Sequence, residues 1–524
     1  DVCSSDLGLN MTDGHTPQPA KRHRSGAAHP AGGAPRNKSA RAELKRSLSH
    51  GQMTMIVMGS ALGTGLFLGS GRAIAMAGPA VILAYAIGSA LASVIGAATG
   101  EMAVRYPVRG GFGAIATRYL GPYAGFLTRL AYWTATVVIT GVELVSVATY
   151  LNYWWPQLPL WAGIAVFGVA IIILNITSVK SFGALEFFLS SIKVISVIAF
   201  ILVGLCLVFF GLPSHAAVGT ANLVNDGGFM PHGFGAVWLS LAVVMFSFGG
   251  IEMISISAAE AKDPARSVRS SAKAMMIRLA TFYVLALFIV VSIIPWRSAG
   301  ELGEKVETSP FVLVFDQLGI TGAAHFVNFV VLIAALSSAN ANLYAGARLM
   351  HSLATDRMAP RALAAVNASG VPSRAVWVST SGVVIAILLA LFSPQEAFLS
   401  MIFLIMVCAL TVWVLILLAY IVYRRVEGKS SAFRLWGGRM TAGVGIMVLF
   451  AVWVALFMVR GSLIPAIVGV GYFLVLTIVY FARVKHTLTV DEDAFAEAQQ
   501  ASTEHATALE EEEEALKTAS EFGR

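Results

Sequence analysis

The chain has 524 residues, 57% of them hydrophobic and only 12% charged, with a formal net charge of +7. Mean hydropathy is +0.75. Soluble domains carry about 25% charged residues, so the composition excludes an ordinary soluble protein and predicts a polytopic membrane protein.

Residues 1–46 are rich in Ala, Gly, Pro, Ser and basic side chains and are predicted to form a disordered leader. The opening DVCSSDL lacks an initiator Met, which makes Met11 a candidate start. The first apolar segment lies too far in and is too long for a cleavable signal peptide. From 47 to 486 runs the membrane domain. Apolar segments of about 20 residues, enough to cross roughly 30 Å of hydrocarbon, are predicted at 53–77, 80–104, 123–150, 158–178, 185–211, 236–259, 276–296, 324–354, 374–393, 397–423, 441–460 and 462–483, numbered here spans 1 to 12. Residues 487–524, ending EEEEEALKTASEFGR, read as an acidic, solvated tail. Of the cysteines, Cys206 and Cys408 lie inside apolar spans and Cys3 in the leader, so no disulfide framework is suggested.

Lys and Arg crowd the leader and recur in alternate loops, as in Arg105, Arg109 and Arg118, and again in Lys262, Arg266, Arg269 and Lys273. YWWPQLPLW and FSPQE carry none. The positive-inside rule then predicts cytoplasmic termini. Topology accounts for the basic leader without a nucleic-acid partner.

Span 1 contains GSALGTGLFLGSG at 59–71, five glycines in thirteen residues. Glycine costs a helix interior about 1 kcal/mol relative to Ala. Interrupted spans in corresponding positions of two halves point to a transporter binding site, and span 6 carries a second interruption, Phe246-Ser247-Phe248-Gly249-Gly250-Ile251-Glu252. Spans 1 and 6 each open a block of five. Five is odd, so the blocks must run in opposite senses, an inverted repeat over about 50–211 and 236–423 with spans 11 and 12 (about 441–483) as additions. The other reading of the span 1 glycines is close helix packing through small-xxx-small spacing. A break at Gly63–Gly65 aims N–H groups at an anion, with Thr64 as a further donor. Carbonyls near Ala61, Phe246 and Gly249 are free to accept from an ammonium. Donors and acceptors in one pocket suit a zwitterionic amino acid.

These stretches, with GEMAVRYPVRGGF, AGFLTRLAYW, SVKSFGALEFFLSSIKVISVIAF and SSANANLYAGARLMHSLATDRMAP, resemble the amino acid transporter family of the amino acid–polyamine–organocation permeases over roughly residues 48–485. The resemblance implies an all-α fold of LeuT type, five-plus-five inverted repeats within 12 transmembrane helices. It implies proton-coupled import of an amino acid across the bacterial inner membrane. Gly63, Thr64 and Gly65 would meet the substrate carboxylate and Ala61, Phe246 and Gly249 the amine, with Gly250 also at the substrate site and Phe246 also covering the substrate. AIAMAGPAVILAY resembles relatives that carry γ-aminobutyrate or other small neutral substrates, and FSFGGIE those for small neutral or aromatic amino acids, so the expected substrate is a small or neutral amino acid, uncharged overall.

Charges at membrane depth are the other candidates. Lys193 stands about eight residues into span 5, roughly 12 Å deep. The resemblance implies that it carries or mimics the coupling cation; the other reading is a lysine snorkelling to the interface. Glu252 follows the span 6 break and Glu143 sits in mid span 3, both candidates for proton coupling, Glu143 also for pairing with a cation or lining the pocket. Glu252 could instead brace the broken helix. Glu101 and Arg105 are spaced for a helical ion pair. Arg129 departs from the family pattern and is read as snorkelling or lining the inner vestibule. Asn340 and Asn342 put a polar stripe on span 8, for helix cross-linking or substrate contact. There is no HExxH, GxSxG or phosphate-cradling GxxxxGK[ST], so no catalytic or metal site is expected. The proton gradient serves as energy source in place of a cofactor, and no obligate protein partner is expected. The alternatives are exchange without net proton flux and, more remotely, a membrane-embedded enzyme or nutrient sensor.

Overall fold

A computed structural model of the chain describes residues 48–177, 179–211, 216–299, 309–317, 321–392, 397–428, 433–459 and 461–489, together with 319, 495–497, 499 and 500. The expected leader at 1–46 and most of the expected tail lie outside the described residues. The described residues are mostly helical, and their only β pairing is an isolated bridge between Leu48 and Ala261.

Ten described helical runs are long and apolar enough to cross a membrane. They contain spans 2 to 10 and span 12. The remaining two of the twelve expected segments have local reasons to differ. Span 11 is a 17-residue helix, Arg439–Ala455. Span 1 is split into His50–Ala61, Thr64–Phe67 and Gly69–Ala77.

Helix starts follow their sequence signals. Ser49 caps span 1 in a capping box: Gln52 N–H donates to Ser49 Oγ at 3.3 Å, and Ser49 N–H to Gln52 Oε1 at 3.0 Å. Asp263 caps span 7 through Arg266 N–H at 3.1 Å, with Pro264 just inside. Span 3, Pro122–Asn152, likewise begins on a proline behind Gly121.

The two blocks correspond part by part. Each opens on a broken span. Each inserts a short helix between its second and third members, Gly111–Leu120 in one and Pro310–Gln317 in the other. Spans 3 and 8, Pro122–Asn152 and Thr321–Thr355, are long rods packed along each other and brace the broken pair. Outside, span 12 exposes Ile464, Ile467, Val468, Leu474, Val475 and Ile478, and span 4 exposes Val166, Val169 and Ile173. So wide an apolar surface fits hydrocarbon, not water. Tyr153, Trp154 and Trp155 cluster beside His325 at one end of the bundle, in the manner of an interfacial aromatic belt.

Candidate functional site

The glycines both break the helices and pack them. The first half of span 1 ends at Ala61, and Gly63 is extended (φ −107, ψ −161) before Thr64 restarts the helix. Span 6 runs as α-helix over Gly233–Val244, tightens to a 3-10 turn over Met245–Phe248, then opens at Gly249 (φ −56, ψ 141) and Gly250 (φ +97). A Cβ on Gly65 would stand 2.6 Å from Ser247 Cα, and one on Gly250 2.8 Å from the Ser60 carbonyl carbon. The two interrupted spans therefore cross backbone to backbone at both breaks. Ser60 Oγ ties the crossing by donating to Gly250 O at 3.2 Å.

Around the crossing lies a cavity of about 10 Å³, room for about one water molecule. Ser60, Ala61, Gly63 and Gly65 line it from span 1, and Phe246 and Gly249 from span 6. Ile139 and Glu143 close it from span 3, Ser338 and Asn342 from span 8. A larger cavity of about 290 Å³ lies between Phe67, Phe200, Phe311 and Val331. Its lining is almost wholly apolar and offers nothing for a charged group.

The carboxylate expected at the span 1 break is there, and it is the protein's own. Thr64 N–H donates to both carboxylate oxygens of Glu143 at 3.3 Å each, and Ser338 Oγ donates to Oε1 at 2.8 Å. The Ala61 carbonyl, expected to be free, accepts from Tyr283 Oη at 2.7 Å; the same hydroxyl lies 2.7 Å from Ser247 O. The Phe246 carbonyl accepts from Gly249 N–H at 3.2 Å. Each carbonyl has a second lone pair for another donor.

Lys193 does not snorkel. It is fully buried, and its Nζ donates to Gly59 O at 2.6 Å. The break takes Gly63 out of the helix whose N–H would have reached that carbonyl. Lys193 thus caps the C-terminal end of the half-helix, where a cation is favoured. Glu252 stands apart from the cavity at the head of the second half of span 6 and accepts from Trp413 Nε1 at 3.2 Å. Of the expected residues, Ala61, Gly63, Gly65, Phe246, Gly249 and Glu143 line the cavity and Thr64 borders it. Gly250, Lys193 and Glu252 lie behind its wall.

Sequence reasoning missed Glu186. It is buried, one turn before Ser190 and two before Lys193, and accepts from Ser190 Oγ at 3.1 Å, from Ser337 Oγ and from Asn340 Nδ2 at 3.2 Å. Asn340 therefore braces Glu186, while Asn342 reaches the cavity. A Glu seven residues before a Lys was the available signal. Tyr283 gave none beyond its place in span 7. Arg129 is neither exposed nor at the cavity: it pairs with Asp356 at 2.6 Å and bonds Ser352 at 2.9 Å and Thr117 at 3.0 Å. The expected Glu101–Arg105 pair is replaced by two pairs with residues beyond it in the chain, Glu101 with Arg424 at 3.3 Å and Arg105 with Glu427 at 3.2 Å.

Two interrupted helices crossing over a buried polar pocket in a multi-pass bundle define a membrane transporter. The amino acid permease family model matches residues 52–491. The chain belongs to that family. It is 38% identical over 442 residues to the aromatic amino acid transport protein AroP of Escherichia coli (strain K12), covering 82% of this chain and 95% of AroP. The AroP of Salmonella typhimurium (strain LT2) gives the same figures. The amino acid permease YtnA of Bacillus subtilis (strain 168) is 37% identical over 449 residues, covering 85% and 96%. The chain is thus a transporter for an amino acid, not an enzyme.

Proposed function

We propose that the chain imports a neutral, zwitterionic amino acid together with a proton, by alternating access across a bacterial inner membrane, with both termini cytoplasmic and no cofactor. The observation that carries this reading is that Thr64 N–H already holds a carboxylate, that of Glu143, at a cavity wall built from both broken spans. A substrate carboxylate would take the same donor at Gly63, Thr64 and Gly65. Its ammonium would meet carbonyl oxygens of Ala61, Phe246 and Gly249. Gly250 sets the turn that aims them. Lys193 supplies the fixed or exchangeable cation of coupling, with Glu143 and Glu252 as carboxylates at depth. The AroP relatives make phenylalanine, tyrosine and tryptophan the first substrates to try, and Ile139 and Phe246 supply apolar walls.

Purified protein in liposomes should accumulate labelled phenylalanine when the outside is made acidic. Uptake driven only by internal amino acid, with indifference to the pH step, establishes exchange in place of symport. A protein that moves none of the common amino acids in either mode sinks the substrate reading.

A further inference from the structure

We infer that Glu186 is the permanent counter-ion of Lys193, and that Glu143 is the group that takes up and releases the transported proton. The inference rests on the symport reading above and divides its labour among three buried charges.

The two carboxylates are held differently. Glu186 is the acceptor in each of its hydrogen bonds. Ser190 and Ser337 donate to one oxygen and Asn340 Nδ2 to the other at 3.2 Å. Asn340 cannot turn its carbonyl oxygen inward, because that oxygen accepts from Asn175 Nδ2 at 2.8 Å. An amide NH₂ has no lone pair to offer a carboxylic acid proton. At Oε2 this shell opposes the acid form, and three side-chain donors together favour the ion. Glu186 and Lys193 also converge on one backbone point: a Cβ on Gly59 would touch Glu186 Oε1 and lie 3.3 Å from Lys193 Nζ.

Glu143 has a looser shell. Its contacts with Thr64 N–H are long, 3.3 Å to each oxygen, its one short bond is from Ser338 Oγ, and it lies on the cavity. The titratable groups that face it are Lys193 from span 5, Tyr283 from span 7 and Tyr150 from its own helix. Spans 1 and 8 present Thr64, Ser338 and Asn342, none of which titrates near neutral pH.

Charge balance assigns the roles. One lysine faces two carboxylates inside a membrane, where an unbalanced charge is costly. Glu186 balances Lys193, which leaves Glu143 as the surplus. When substrate arrives, its carboxylate competes with Glu143 for Thr64 N–H, and two carboxylates at one site cannot both stay ionised. A proton from the outer solution adds to a Glu143 oxygen and frees the donor for the substrate. After the inner side opens, the substrate leaves, the proton passes to the cytoplasm, and Glu143 returns to Thr64. No bond other than O–H is made or broken.

Glu143→Gln should lose pH-driven accumulation of labelled phenylalanine by about tenfold or more, and the exchange of internal for external phenylalanine should no longer vary with pH. Glu143→Asp, which keeps a titrating group, should retain the pH response. Glu186→Gln should lose both activities, because Glu143 is then held ionised as the one remaining counter-ion of Lys193 and cannot give up Thr64 N–H to substrate, and Glu186→Gln with Lys193→Met should recover pH-driven accumulation. Glu143→Gln protein that still accumulates phenylalanine on an acid step overturns the assignment. So does a Glu143→Asp variant or a double variant that exchanges phenylalanine but ignores pH. Wild-type protein that exchanges and ignores pH would instead remove the symport reading, and recovery of exchange in the double variant would still report the Glu186–Lys193 pair.

Discussion

At the crossing of the broken spans, two glycines with one sequence role differ in what they tolerate. Gly65 faces Ser247 Cα at 2.6 Å, so a methyl group has only backbone to meet. Gly249 has its nearest neighbour at 3.4 Å and a backbone conformation open to any residue. Gly65→Ala should therefore cost about 1–3 kcal/mol of stability and most of the uptake, while Gly249→Ala should leave the melting temperature nearly unchanged. Equal shifts for the two variants in a thermal melt would refute backbone contact as the reason for Gly65. The interruptions themselves were legible in the sequence because glycine weakens a helix, and clusters of it recur where two apolar runs each open a block of five spans. Glu186 was not, because two of its three donors, Asn340 and Ser337, lie some 150 positions away, and a charge near the start of span 5 looks interfacial when read along the chain alone. The carboxylate at Thr64 was foreseen as chemistry but not as Glu143, since residue spacing cannot say which side chain from span 3 reaches span 1.

Between elements, helix ends on one side of the bundle are knotted by charges that chose distant partners over local ones. Glu101 and Arg105 are one turn apart, but the C-terminal end of span 10 offers each a partner. Glu101 also accepts from Tyr420 Oη at 2.7 Å and Leu435 N–H at 2.9 Å. Glu427 accepts from Tyr106 Oη at 2.8 Å and Tyr119 Oη at 2.9 Å as well as from Arg105. Partial burial pulls the Glu427 carboxyl upward, but those two hydroxyls and the charges of Arg105 and Arg118 outweigh it and hold it below the usual carboxylate range. A carboxylate lowered on folding stabilises the fold above its unfolded titration range and loses that contribution as pH falls through the folded value. Glu427→Gln should thus lower the melting temperature at pH 7, and the gap from wild type should close as the buffer is taken into the acid range below the carboxylate's ordinary titration. A gap that persists unchanged into acid would show that shape, not charge, matters there. Arg129 obeys the same preference, joining the short helix after span 2 to the C-terminal end of span 8 through Thr117, Ser352 and Asp356. The expected tail also departs from free solution at one point, where Phe495 is buried against Tyr106 and Arg118.

For the molecule as a whole, Leu48 is stitched to the segment just after span 6. Leu48 N–H donates to Glu260 O at 3.0 Å, and Lys262 N–H to Leu48 O at 3.0 Å. The entry to span 1 and the exit from span 6 are thereby one body, so joining them covalently should not impede transport. In protein freed of its native cysteines, a Leu48→Cys/Ala261→Cys disulfide should keep uptake within about twofold of the reduced form. Arrest on oxidation, released by reductant, would mean the two segments part during the cycle. The near-filled cavity sets a clock as well as a shape. An amino acid cannot reach Thr64 until the surrounding walls yield, so its association should level off as concentration rises, and the plateau should equal the frequency with which the empty protein breathes open.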